Sequence, residues 1–196
     1  YRAGFGCVSA KNCAFLTTLE RATPIILTGL AAVVAFRSGM FSIGQEGQLL
    51  VGSVIAAYLG YATHLPAVIH PIFIIICSML GGALYGWVPG VLKVRLGVNE
   101  IISTIVMNTI AILSLEYLVN FPMRGDPSAT AHSPVIDKTA QLVAFLPGSK
   151  WGIGFVIAVV MAITVYIYLW HTGKGYEQRM GGQAPFFARF GGIKSQ

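Results

Sequence analysis

Five apolar runs dominate this chain, and they leave it few ways to fold outside a bilayer. They cover residues 22–36, 49–63, 67–92, 98–119 and 152–170. A bilayer core needs about 20 mainly apolar residues per helix, within roughly 17–25. Lipid cannot satisfy backbone N–H and C=O groups, so each run reads as a helix that satisfies its own. The first two runs are short, at 15 residues each. They either extend into their flanks or form broken helices whose ends meet inside the protein. Pro24 falls in the first turn of the first run, where a missing N–H costs least. The fold class expected is all-α: a polytopic transmembrane helical bundle of about five spans.

Composition excludes the soluble alternative. Charged residues are 10% of the 196, and hydrophobic residues are 55%. An average soluble domain is about 25% charged. A domain of this size leaves roughly a third of its extended-chain surface wet, and 13 Lys+Arg with 7 Asp+Glu cannot cover it. The net charge is +6, but no Lys/Arg run or basic stripe supports nucleic-acid binding. Three cysteines exclude a disulfide-dense scaffold. Cys77, inside an apolar run, reads as a small core hydrophobe. Cys7 and Cys13 allow either a pair or two free thiols. Four His and three Cys show no ligand spacing, so no metal is expected. His64, His70, His132 and His171 have no Ser, Cys or Asp partner at helical spacing, so no catalytic residue is assigned.

Lys/Arg bias near span ends sets orientation. If all five runs span, Arg37, Lys93, Arg95, Lys174, Arg179, Arg189 and Lys194 share one side. Arg2, Lys11, Arg21, Arg124, Lys138 and Lys150 fall on the other. The short bridging loops favour the first side as cytoplasmic. Residues 121–151 are then an extracytoplasmic loop, and 172–196 a cytoplasmic one. The outer loop carries four prolines and is long enough to dock another protein.

Three patterns carry further meaning. Gly82, Gly86 and Gly90 repeat at every fourth position, which lets membrane helices approach closely. The expected use is packing within one subunit, with a subunit–subunit contact as the competing use. Pro89 should bend the same helix. Glu100, Thr104 and Asn108 lie within about 80° on one helix face. Such a stripe either lines a path for a polar solute or fixes packing by interhelical hydrogen bonds. Glu100 sits in the first turn, where a carboxylate is favoured. The segment 36–48 reads FRSGMFSIGQEGQ. It is either an ordinary turn or a break that exposes backbone to a cavity.

These motifs resemble those of a known family. FRSGMFSIGQEGQLLVGS, GVNEIISTIVMNTIA and GKGYEQRMGGQAPFFARFGGIK are similar to signatures of binding-protein-dependent inner-membrane permeases of ATP-binding-cassette importers for nucleosides and simple sugars (the ribose and branched-chain amino acid type). In the third, Gly175, Arg179, Gly182, Pro185, Ala188, Arg189, Gly192 and Ile193 match the family's cytoplasmic loop. Ala184 and Phe187 depart from it: Ala184 stands where the family has Asn, a strong N-cap.

The resemblance implies a function and partners. The chain would be one transmembrane permease domain over 1–196, incomplete at both ends, in a bacterial inner membrane. It would import a nucleoside or simple sugar with an ATP-binding subunit, a second permease subunit and an extracytoplasmic solute-binding protein. ATP–Mg would sit on the ATP-binding partner; this chain would bind no cofactor and have no enzymatic activity of its own. The phosphate-binding G-x-x-x-x-G-K-[ST] pattern is absent from the sequence. A short helix Pro185–Phe190 would couple to the ATPase, with Arg179, Pro185, Phe186, Phe187, Arg189 and Phe190 at the contact. The substrate pathway expected comprises Phe41, Ser42, Gln45, Glu46, Gln48, Glu100, Thr104 and Asn108. The alternative function is a secondary transporter or channel for a small polar solute. Glu46, Glu100 and Glu116 lie near span ends, which argues against ion coupling at mid-membrane.

Overall fold

The computed structural model describes residues 14–125, 133–140 and 152–191. Cys7, Cys13 and His132 lie outside them, as do the side chains of Pro185, Phe187 and Arg189. Every regular element among the described residues is helical. Two compact units divide the chain: Tyr1–Phe41 with Leu142–Gln196, and Ser42–Gln141.

In the first unit, α1 (Ala14–Arg37) packs on α5 (Ile153–His171). The polar helix α6 (Gly173–Gln183) and the six-residue α7 (Pro185–Phe190) follow α5. The first apolar run does extend into its flank, because α1 begins two turns before it. Pro24 therefore lies inside the helix, not in its first turn as the run alone implied. Thr172 caps α6 by accepting from Gly175 N at 3.1 Å. Helix α7 forms with Ala184 before it, and Ala184 O accepts from Ala188 N at 2.9 Å. The missing Asn cap is offset by Pro185 at the first helical position, whose φ is already helical.

In the second unit, α2 (Gln45–Ala62) and α3 (Ile69–Leu96) pack along their lengths, and α4 (Glu100–Asn120) lies against both. A 3₁₀ turn, Lys138–Ala140, rests on α3. Helix α3 stays helical through Pro89. It closes at Gly97, whose φ of 65° is left-handed, a conformation that lacks a penalty only in glycine. Asn99 then caps α4 by accepting from Ile101 N at 2.9 Å.

Among the described residues, four helices are long and apolar enough to cross a membrane: α1 from Phe15, α3, α4 and α5. The run at 49–63 belongs to α2, whose first turn is the polar Gln45–Glu46–Gly47–Gln48. Few side chains are fully buried, and large apolar ones such as Met79, Leu84 and Trp87 are more than 60% exposed. Lipid solvates such faces as well as protein does, so a span need not bury them.

The glycine row divides in two. A Cβ on Gly82 would come 3.1 Å from Gln48 O of α2, and one on Gly86 would come 2.5 Å from Gln48 Nε2. Both therefore serve the α2–α3 contact. Gly90 meets nothing within 4 Å.

Candidate functional site

The polar stripe of α4 is turned onto the loop that leads into α2. Asn108 binds both that loop and the first turn of α2. Its Oδ1 accepts from Gly47 N at 2.9 Å, and its Nδ2 donates to Ile43 O at 2.9 Å. One turn earlier, Thr104 Oγ1 donates to Glu100 O at 2.7 Å and faces Ile43 N at 3.4 Å. Thr104 is 2% exposed and Asn108 is 9%. The approach demands small residues on the loop. A Cβ on Gly47 would meet Asn108 Oδ1 at 2.8 Å, and one on Gly44 would meet Thr104 Cγ2 at 3.2 Å. Tyr85 adds a second tie, donating from its hydroxyl to Met107 O at 2.6 Å.

The stripe thus supplies hydrogen bonds at the entrance to α2: to Ile43 O in the loop and to Gly47 N in the first helical turn, where a backbone N–H has no intrahelical acceptor. Left unpaired, a buried backbone group costs about 1–3 kcal/mol. Of the two uses read from the sequence, the geometry matches interhelical bonding for Thr104 and Asn108. Glu100 pairs with Lys93 across the α3–α4 turn.

The other predicted pathway residues divide between the units. Ser42, Gln45, Glu46 and Gln48 stand with the stripe in the second unit. Ser42 Oγ accepts from Gly44 N at 3.3 Å, and Gln45 Nε2 donates to Ser42 O at 3.0 Å. Gln48 packs on Gly86, whereas Glu46 is exposed. Phe41 belongs to the first unit, stacked on Phe36 with centroids 4.8 Å apart. At the far end of α4, Glu116 and Asn120 line an open groove of about 410 Å³ with Tyr117, Phe121 and Arg124.

The cytoplasm-assigned segment is fastened to the end of α1. Gln178 Nε2 donates to Val34 O at 3.3 Å and also to Ser38 Oγ. Gly182 lies so close to Gly39 that a Cβ on Gly39 would reach Gly182 Cα at 2.8 Å. Gly39 also has φ 77°, so glycine is required there twice over. Arg179 lies over the Trp170 ring at 4.2 Å from its centroid. On α7, Ala188 is buried, while Phe186 and Phe190 are 79% and 92% exposed.

At helical spacing the sequence offers the histidines no partners, and the structure supplies them for His64 and His70. His70, fully buried, lies 3.0 Å from Thr63 Oγ1 through Nε2 and 3.0 Å from Thr139 Oγ1 through Nδ1. Thr63 gives its own proton to Leu59 O at 2.6 Å, so Nε2–H donates to Thr63 and Nδ1 accepts from Thr139. His64 Nδ1 pairs with Asp137 Oδ2 at 2.6 Å. Asp137 N donates to Gly60 O at 3.0 Å, and Ile136 covers Gly60. Together these hold residues 136–139 on the α2–α3 turn. Among the described residues, no three His, Cys, Asp or Glu side chains gather where a metal could bind.

The model of the family described as branched-chain amino acid transport system / permease component matches residues 14–196. The chain belongs to this family. Four span-capable helices and this membership make it a multi-pass membrane protein. It is 34% identical over 178 residues to the guanosine ABC transporter permease protein NupP of Bacillus subtilis, covering 90% of this chain and 51% of that one. It is 29% identical over 185 residues to the glucose ABC transporter permease protein TsgB13 of Haloferax volcanii, covering 89% and 49%. It is 26% identical over 179 residues to the probable riboflavin import permease protein RfuC of Treponema pallidum, covering 89% and 46%. The chain therefore spans about half the length of these relatives. No solved structure matches it.

Proposed function

We propose that this chain is part of the permease subunit of an ATP-binding-cassette importer that brings a nucleoside or simple sugar into the cell. The observation that carries the reading is α7. A six-residue helix follows the last span and the polar α6, and presents Phe186 and Phe190 almost wholly exposed. Two aromatic rings on one short helix suit a groove on another protein, and the helix is too short to bind a membrane surface by itself. Relatives named as permeases for guanosine and glucose support the solute class.

In this reading the ATP-binding partner holds ATP–Mg and α7 seats in its groove. A second permease subunit completes the path, and an external solute-binding protein delivers the solute. Helix α6, pinned by Gln178 and Gly182 to the end of α1, passes displacement of α7 to that span. Thr104 and Asn108 hold residues 43–47, the end of the loop and the first turn of α2, in shape. Solute contact falls to groups that the loop leaves open, above all the Glu46 carboxylate at the start of α2. A carboxylate there accepts hydrogen bonds from the hydroxyls of a ribose or hexose.

The test uses the full-length protein with its ATP-binding subunit, Cys7, Cys13 and Cys77 replaced, and Phe190→Cys introduced. A disulfide to cysteines around the ATPase groove, changing with nucleotide, is expected. Absence of any crosslink, with both proteins folded in the membrane, overturns the reading.

A further inference from the structure

Two cations converge on one indole at the end of the first unit. The Arg37 guanidinium carbon lies 5.4 Å from the Trp170 ring centroid, and that of Arg179 lies 4.2 Å from it. Each contact is favourable alone, since the ring face is negative. Together they bring two like charges to one ring, an arrangement that an anion would stabilise. Among the described residues, neither arginine meets a carboxylate. Glu177 shares α6 with Arg179 but stands two residues away, and i, i+2 residues do not face each other. Lys174 adds positive charge to the same helix. On α1, Glu20 and Arg21 lie at least four turns from Arg37.

The donors are also unspent. Arg179 Nε is buried without a hydrogen-bond partner. Its outer N–H groups have none among the described residues and remain reachable. Stacking occupies a guanidinium's face and leaves its N–H edge free, and that edge matches two phosphate oxygens at once. The group is not loose, because neighbouring Gln178 and Gly182 clamp α6 to α1.

Depth identifies the anion. Arg37 ends α1, and Trp170 stands one residue before the end of α5; both helices are span-capable. Tyr166, Tyr168 and Trp170 are exposed in the last turns of α5, the aromatic belt of a membrane interface. Lipid phosphates occupy that level. We propose that Arg37, Trp170 and Arg179 form a binding site for the phosphate of an anionic phospholipid.

The experiment titrates the full-length protein in detergent with dioleoylphosphatidylglycerol or dioleoylphosphatidylcholine and counts bound lipid by native mass spectrometry. The wild type should retain the anionic lipid preferentially. Arg37→Gln and Arg179→Gln should each weaken that retention about fivefold, and the double variant should lose the preference. Lys174→Gln, a cation off the ring, should change it little. Thermal unfolding of each variant confirms that the fold is kept, and Gln preserves much of the stem. Equal preference for both lipids in the wild type overturns the site. An equal loss in Lys174→Gln overturns it in favour of diffuse charge. Displacement of the lipid by millimolar glycerol 3-phosphate overturns the lipid assignment in favour of a soluble phosphate.

Discussion

Asn108 satisfies one backbone donor and one acceptor at the entrance to α2: Gly47 N in its first turn and Ile43 O in the loop before it. Asn108→Leu keeps the volume and removes both bonds. The buried Gly47 N is then unpaired, at about 1–3 kcal/mol, and the part-buried Ile43 O loses its partner at a smaller cost. The variant should still insert but should lose most uptake, and cleavage between residues 38 and 44 by added protease should accelerate. Uptake at the wild-type rate would detach the stripe from transport. Glu46 tests the other half of the site. Glu46→Gln should raise the half-saturation concentration for solute roughly tenfold, the scale of one charge-assisted hydrogen bond, with membrane levels unchanged. The stripe itself was visible in the spacing of Glu100, Thr104 and Asn108. Its partners were not, since Gly47 and Ile43 lie 61 and 65 residues away in sequence and offer only backbone.

At the level of elements, the glycine row of α3 makes a contrast that sequence spacing could not. Gly82→Leu should separate α2 from α3 and lower the unfolding temperature of the purified protein by several degrees. Gly90→Leu should lower it far less, because a Cβ there meets nothing and helix propensity improves by up to about 1 kcal/mol. Equal losses would show that the α2 contact is not what distinguishes them. The turn between α2 and α3 gives a second test. His70→Phe leaves Thr139 and a buried pocket without their hydrogen bonds, so backbone amides of 136–139 should exchange at least tenfold faster, read by mass spectrometry. The His64–Asp137 pair is well exposed and adds little to this latch. Helix α7 has the bounds that the family resemblance implied, because the motif that carries the resemblance is contiguous in the chain. The N-terminal reach of α1 was not legible, since Phe15–Arg21 mixes polar and apolar residues and does not continue the apolar run.

For the whole molecule, the energy source separates the two functions considered. Proteoliposomes holding the full-length permease with its ATP-binding subunit should take up solute only with ATP–Mg, and an ionophore that collapses proton and sodium gradients should leave the rate unchanged. Ion-dependent uptake without the ATP-binding subunit would install the secondary-transporter alternative. The sequence by itself determined the solvent of this protein, its helical class and its family. Each depends on local quantities: hydropathy over about twenty residues, backbone groups that lipid cannot satisfy, and contiguous motifs. Only the tertiary structure decided what the polar groups do. It turned Asn108 onto a loop, gave His70 two hydroxyls, and gathered Arg37 and Arg179 on Trp170. The physical reason is that a hydrogen bond or a cation–ring contact acts over a few ångströms in space, and in these cases its two ends are up to about 140 residues apart in the chain.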